Sequence, residues 1–479
     1  MIAVWRKRIG KGGYQCLPAN KFHTQWRHFC VCVSEGVERL MDVMELKQTA
    51  CAAIDSAAEQ LIAFGEDIGC HPELGYREQR TGGRVLEAFR ALGLQDITRP
   101  ACTGVKGWLP TGGKAASVAV IGELDAVLSP LHPQADPSSG AAHACGHNAQ
   151  LSAMLGAAIG LKTVAGYLGG KVCFMATPAE EYVEIGWRES LREHGELEYL
   201  GGKQQLIAEG AFNDIDMALM VHSETEVEGA HIVVGGSAGG FIGKEVRFIG
   251  KEAHAGGAPW QGVNALNAAT LAIQAIHAQR ETFRDTDNVR VHPILTKGGD
   301  LVNTVPADVR MESYVRAATI EAMQSANAKV DRAIRGASYA IGAKAQICNL
   351  PGYLPLRQNK ALSALFAENT CTLMPDAQLE EGLPFCGSTD MGDLSYLLPV
   401  IQPTVSGFTG AAHSKDFRIT DPQLAYIIPA KLLTMAVIDL LACGAERALL
   451  VKADAPRHSP EDHRRLWQNI LQGFQEQEL

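Results

Sequence analysis

The hexapeptide HACGHN, residues 143–148, places two histidines and a cysteine within five positions of a chain that holds only 15 histidines and 12 cysteines. Four further stretches carry groups that can join them. Asp125 lies in GELDA, Glu180 and Glu181 in ATPAEE, His222 in LMVHSE and His413 in GAAHSKDF. Imidazole, thiolate and carboxylate together suit a borderline transition metal such as zinc or manganese, and the set is larger than one tetrahedral ion needs. Two divalent metal ions are therefore expected. Such pairs sit about 3.5 to 4 Å apart, share a bridging ligand and make a water nucleophile available near neutral pH. The adjacent glutamates fit that chemistry, because neighbouring residues at a strand end point in different directions. One can hold metal while the other reaches the water as general base.

Taken singly, each signal has another explanation. A buried histidine is commonly a hydrogen-bonded core group, a Glu-Glu pair at a strand end is commonly solvated, and Asp125 has the residue type of a helix cap. Cys145 reads as a small buried apolar group or as the nucleophile of a Cys/His enzyme. The thiol reading leaves the glutamate pair and the two further histidines unexplained, so the groups jointly favour metal.

The elements that must position these groups are visible around them. SVAVIG (117–122), KVCFMA (171–176) and DMALMV (216–221) are short apolar runs that end in polar or charged residues, with Gly/Ala-rich helical stretches such as 150–164 between them. This alternation predicts an α/β domain, a sheet flanked by helices with its chemistry at the strand ends. A helical pattern also starts at Glu45, with Leu46, Ile54, Leu61 and Ile68 on one face. Near Gly240 the rhythm changes. Strands over 244–250, 288–295, 307–317 and 343–349 and helices over 262–280 and 319–342 follow the order β-α-β-β-α-β, that of a small split-βαβ module. Sheet-and-helix patterning resumes after Pro355 and continues to about Cys443, so the module is inserted in the larger domain. The expected divisions are an extension at 1–44, a catalytic domain in two parts at 45–239 and 353–445, the inserted module at 240–352 and a polar tail at 446–479.

Composition excludes several function classes. A net charge of −10 over 479 residues disfavours a nucleic-acid partner. No apolar run approaches the ~20 residues that span a bilayer, so no membrane association is expected. Basic residues concentrate only in the first 40 positions, which lack the apolar core of a signal peptide. Met41 or Met44 reads as the native start. The cysteines show no repeating spacing and read as reduced thiols, which places the protein in the cytoplasm.

The series HPELGYRE, GELDA, HACGHN, TPAEE, GKEAHAGGAPWQGVNAL, GGDLVNTVPADVRMESYVR and GAAHSKDF, in that order, resembles the M20 family of metallopeptidases over about residues 45–445. Within the family it is similar to the amidohydrolases of N-acyl amino acids, aminobenzoyl-glutamate and indoleacetyl-amino acid conjugates. GSTDMGDLS (387–395) resembles the aminobenzoyl-glutamate hydrolase B-subunit subgroup. The resemblance implies a di-metal aminopeptidase-like catalytic domain interrupted by a ferredoxin-like lid that forms the dimer interface. Carried over by position, Cys145 matches a bridging thiolate, and His147, Glu181, His222 and His413 match the other ligands. Glu180 matches the general base, with Asp125 behind the ligands, whereas His143 matches a histidine that binds no metal. In the lid, His254 matches an oxyanion-stabilising histidine that reaches the partner's site in dimers, Asn303 a polar substrate contact, and Arg316 the arginine that grips a substrate carboxylate, for which a planar guanidinium is suited.

Three departures stand out. Asn148 replaces a common Asp, GELDAV replaces the commoner DMDALP, and His222 follows Glu181 by 41 positions, an interval long enough to build a loop at the pocket mouth. The function implied is metal-dependent hydrolysis of the amide bond of N-acyl or aminoacyl amino acids. A metal-dependent dipeptidase or carboxypeptidase and a non-catalytic regulatory subunit are the alternatives. The expected assembly is a homodimer, with a heteromer of related subunits as the other arrangement.

Overall fold

A computed structural model of the chain describes residues 7–9, 13–15, 29–34 and 37–472. The extension read at 1–44 lies largely outside these residues, as does the end of the tail. The chain divides into two compact units. One comprises Met1–Gly236, Arg357–Leu383 and Leu394–Pro460, the other Ser237–Leu356, Pro384–Asp393 and Glu461–Leu479.

The first unit is built on a six-stranded sheet ordered Val400–Ile401, Met217–Leu219, Ser117–Glu123, Lys171–Thr177, Val105–Leu109 and Gln95–Thr98. The first four strands are mutually parallel and the last two antiparallel, so the sheet is mixed. Ser117–Glu123 is buried along its whole length, as a central parallel strand covered on both faces must be. Helices Val43–Ser56, His147–Thr163 and Ile428–Leu441 pack together in its apolar core. Asp42 and Glu45 close the start of the first by a reciprocal capping box. Among the described residues one helix, Gln423–Leu441, is long and apolar enough to cross a membrane, and 78% of that apolar stretch is buried in the protein.

The strand expected at 216–221 spans Met217–Leu219, and His222 opens a separate short strand just beyond the expected run. Met217–Leu219 belongs to the main sheet, and His222–Ser223 pairs with Thr404–Val405 in a second sheet. The chain nevertheless keeps its neighbour across the break, since Met220 donates to Ile401 O at 3.1 Å and His222 to Pro403 O at 2.9 Å.

The second unit contains a four-stranded antiparallel sheet ordered Arg290–Lys297, Asp308–Ala317, Gly240–Ile249 and Lys344–Tyr353. Helices Ala265–Ala278 and Ile320–Ile341 pack against each other and against the sheet. Burial alternates along Asp308–Ala317, as it does in a strand with one face in the core. The polar tail contains helix Pro460–Gln472. It seats His463 Nε2 at 2.7 Å and Trp467 Nε1 at 2.8 Å on the fully buried carboxylate of Asp393. Among the described cysteines Cys70 and Cys102 are exposed free thiols. Cys371 is disulfide-bonded, which departs from the expectation of reduced cysteines throughout.

Candidate metal centre

The centre is assembled in the first unit from loops that follow buried strands. In HACGHN the turn is made by Gly146, whose φ of 85° lies in the left-handed region that favours glycine. It separates buried Cys145 from His147, the first residue of helix His147–Thr163. Two backbone ties draw the other loops in. Ser223 Oγ donates to Cys145 O at 3.0 Å, and His413 N donates to Ala144 O at 2.8 Å.

Cys145, His147 and His222 present ligand atoms that all lie within 4.8 Å of one another, and so do Cys145, Glu181 and His413. The two groups share only the thiol. His147 Nδ1 donates to Asp125 O at 2.8 Å, which leaves Nε2 as the ligating nitrogen. Asp125 Oδ2 accepts from Glu181 N at 2.8 Å, so one aspartate orients a histidine and a glutamate. Glu181 Oε1 lies 3.1 Å from His413 Nε2 and His147 Nε2 lies 3.1 Å from Glu123 Oε2. Neither Glu181 Oε1 nor His147 Nε2 has a hydrogen-bond partner aligned with it. Buried polar atoms of this kind are otherwise paired. Close but misaligned donor atoms of thiolate, imidazole and carboxylate type fit a pair of divalent ions.

Electrostatics agree. Burial would raise the Cys145 thiol, but His222 and His147 outweigh it and hold it well below the usual range, as a thiolate. Burial opposes protonation of His147, yet Glu123 and Cys145 hold its pKa well above the ordinary histidine value. His413 is likewise raised to about 11, against burial, by its bonds to Cys145 and Glu181. In the metal-free protein the donors share protons, and ions entering the site displace them.

Glu180 is buried at the same turn, with Oε2 3.9 Å from His147 Nε2. It forms a third donor group with Glu123 and His147. Asn148 turns away from this cluster: its Nδ2 donates to Gly65 O at 3.0 Å and Tyr426 Oη at 3.3 Å, so its replacement of Asp serves the core. His143 is buried without hydrogen-bond partners, and burial followed by the nearby charge of His147 lowers it to about 3, which keeps it neutral.

Three buried neighbours of the cluster are absent from the sequence reading. Glu123 stands two positions before Asp125, on the same side of the strand end, and strand periodicity was a signal for it. Lys203 and Glu78 carry no such signal. Lys203 is fully buried against Glu123 at 2.5 Å. Glu78 in HPELGYRE accepts from Ala179 N at 2.9 Å and from Thr103 Oγ1 at 2.7 Å.

The remaining candidates lie in the second unit. His254 is exposed, and its Nδ1 accepts from Gly256 N at 3.2 Å and Gly257 N at 2.9 Å. Its proton therefore sits on Nε2, which is a donor. Asn303 O accepts from Ala255 N at 2.9 Å, which sets Asn303 beside the His254 loop. Arg316 Nη1 donates to Ser388 Oγ at 2.7 Å, within the GSTDMGDLS motif, and its guanidinium lies 5.0 Å from the Phe241 ring centre.

The fold and donor set define an α/β metallohydrolase with an appended α+β module. The peptidase dimerisation domain family, M20_dimer, matches residues 236–340. The chain is 30% identical to the Xaa-Arg dipeptidase of Mus musculus over 441 residues, covering 85% of this chain and 91% of that protein. It is 22% identical to the N-acyl-L-amino acid amidohydrolase of Geobacillus stearothermophilus, covering 63% and 79%. Among solved structures it resembles a dinuclear metal binding peptidase of the M20 family from Bacillus subtilis, with a TM-score of 0.62 at 20% identity, covering 81% and 99%. The aminobenzoyl-glutamate utilization protein from Klebsiella pneumoniae superposes with a TM-score of 0.62 at 19% identity, covering 81% and 97%. The chain belongs to the M20 family and is a metal-dependent hydrolase of amide bonds.

Proposed function

We propose that this hydrolase cleaves dipeptides that end in a basic residue, with two divalent ions held by Cys145, His147, Glu181, His222 and His413. The observation that carries the reading is the pair of donor groups that share Cys145 beside Glu180. Soft thiolate and three imidazoles favour zinc over manganese. Bound there, the ions would acidify water and polarise the scissile carbonyl. Glu180 takes a proton from the attacking water and returns it to the leaving amine nitrogen. Asp125 holds His147 and Glu181 in place through both proton transfers. His254 donates to the developing oxyanion and Arg316 grips the substrate carboxylate, with Asn303 as a further polar contact.

The substrate class is supported by the length and identity of the match to proteins named Xaa-Arg dipeptidase. A second reading, hydrolysis of N-acyl amino acids, is favoured by the weaker match to an N-acyl-L-amino acid amidohydrolase. A hydrolysis panel with added zinc, manganese or cobalt separates them. Xaa-Arg and Xaa-Lys dipeptides should turn over fastest. Preference for N-acetyl amino acids or aminobenzoyl-glutamate would select the second reading, and turnover of none of these would sink both. We also propose a homodimer formed through the second unit, which contains the matched dimerisation domain.

A further inference from the structure

The 40 residues between Glu181 and His222 include helices Ile185–Glu193 and Gly202–Ala208 ahead of strand Met217–Leu219, and the second helix begins against the turn at Ala179. Gly202 N donates to Ala179 O at 3.0 Å. A Cβ at Gly202 would stand 1.6 Å from Pro178 O, so only glycine lets the helix approach the turn that carries Glu180 and Glu181. The next residue, Lys203, has no exposed surface. Its Nζ lies 2.5 Å from Oε1 of Glu123, which is also fully buried. The other oxygen of Glu123 accepts from Gln150 Nε2 at 2.9 Å and lies 3.1 Å from His147 Nε2.

Glu123 is thus gripped on both oxygens, by the inserted segment on one side and by the helix that begins at His147 on the other. Its surroundings are acidic. Glu123 and Glu180 present carboxylate oxygens within 4.8 Å of each other, and Asp125 and Glu181 are close by. Lysine is almost never fully buried unless paired, and removing one partner of such a pair leaves the other as an uncompensated charge. A Glu123 carboxylate without its ammonium would be drawn to the nearest cation, an ion on His147, and would pull that donor group out of shape.

We propose that Lys203 is a positioning residue of the hydrolytic centre, which neutralises Glu123 so that this carboxylate stays with Lys203 and Gln150 instead of competing for the ion that His147 holds. The inserted segment then supports the floor of the site, whereas its length in the sequence suggested a loop at the pocket mouth. The inference rests on the assignment of His147 as a metal ligand.

The test uses full-length protein loaded with cobalt(II) and titrated with a competing chelator, with visible absorption spectra recorded for the wild type, Lys203→Met, Glu123→Gln and the double variant. Lys203→Met should hold one of its two ions about 10- to 100-fold more weakly, with shifted cobalt bands. The double variant, in which neither charge remains, should recover most of the affinity. Wild-type affinity and spectrum in Lys203→Met would overturn the proposal. So would a double variant no better than Lys203→Met, because Lys203 would then act by packing alone. If Lys203→Met fails to fold, a double variant that folds and binds two ions supports the proposal, and one that also fails to fold overturns it. Retention of both ions by His147→Ala is a different failure: it removes the ligand assignment, and this proposal with it.

Discussion

Glu180 and Glu181 are consecutive residues, and the turn beneath them explains how they can do different work. Ala179 adopts a φ of 51°, a left-handed conformation that costs about 1–3 kcal/mol for a residue with a side chain. Glu78 holds its N–H and Gly202 its carbonyl, so the turn cannot relax. Glu181 is thereby aimed at His413 and Cys145, and Glu180 toward His147 and Glu123. Replacing Glu180 with Gln keeps the shape and removes the base. We expect kcat to fall by about 10²- to 10⁴-fold with two ions still bound, checked by steady-state kinetics alongside metal analysis. Loss of an ion with the activity would instead make Glu180 a ligand. The grouping of these side chains was legible in the sequence because the histidines and Cys145 are of sparse types and, like the glutamate pair, lie beside apolar runs. Lys203 was not, because its meaning depends on Glu123, 80 positions away, and a lone lysine in a polar stretch reads as solvated.

At the level of elements, Glu78 joins the start of helix Gln79–Leu92 to that same turn. Burial, then the charge of Asp125, raises its carboxyl to about 8 from an ordinary value of 4.5. Between those two values the folded protein keeps a proton that the unfolded chain has released. Its contribution to stability is therefore complete below about pH 4.5 and is lost as pH rises to about 8. Glu78→Gln mimics the protonated form: its Oε1 can still accept from Ala179 N and its amide can donate to Thr103. Urea unfolding of chelator-treated protein from pH 5 to 8 should show a shallower loss of stability in the variant, by up to about 1.4 kcal/mol per pH unit. Parallel curves would refute the role. The elements themselves were mostly legible, since periodicity marks Gly240–Ile249 and Ile320–Ile341 plainly. The change of sheet at His222 was not, because an apolar run does not say which sheet the residues after it join. The tail helix was opaque for a related reason: a polar segment with one apolar stripe does not announce that His463 and Trp467 share a buried aspartate.

For the whole molecule, the open question is what covers the edge of the second unit's sheet. Among the described residues Arg290–Lys297 is an outer strand, paired only with Asp308–Ala317. Ile294 is 60% exposed and Leu295 38%. Leu301 and Val302, in the loop that follows, are exposed as well. An apolar edge of this kind invites another strand, and proteins that leave one open usually blunt it with charge, proline or a bulge. Here Pro293 and a register shift between Leu295 and Lys297 interrupt the strand, yet its apolar side chains stay outward. A second copy of the chain is the occupant that the dimerisation-domain match favours. Ile294→Lys places a charge on this edge without touching the buried face. It should convert the protein to a monomer by light scattering while the melting temperature of the monomer stays within a few degrees of the wild type. If His254 serves the partner's site, kcat/KM should fall together with the dimer fraction and recover at protein concentrations that restore association. A variant that stays dimeric would move the interface to another face of the unit, and a monomer with full activity would confine His254 to its own subunit.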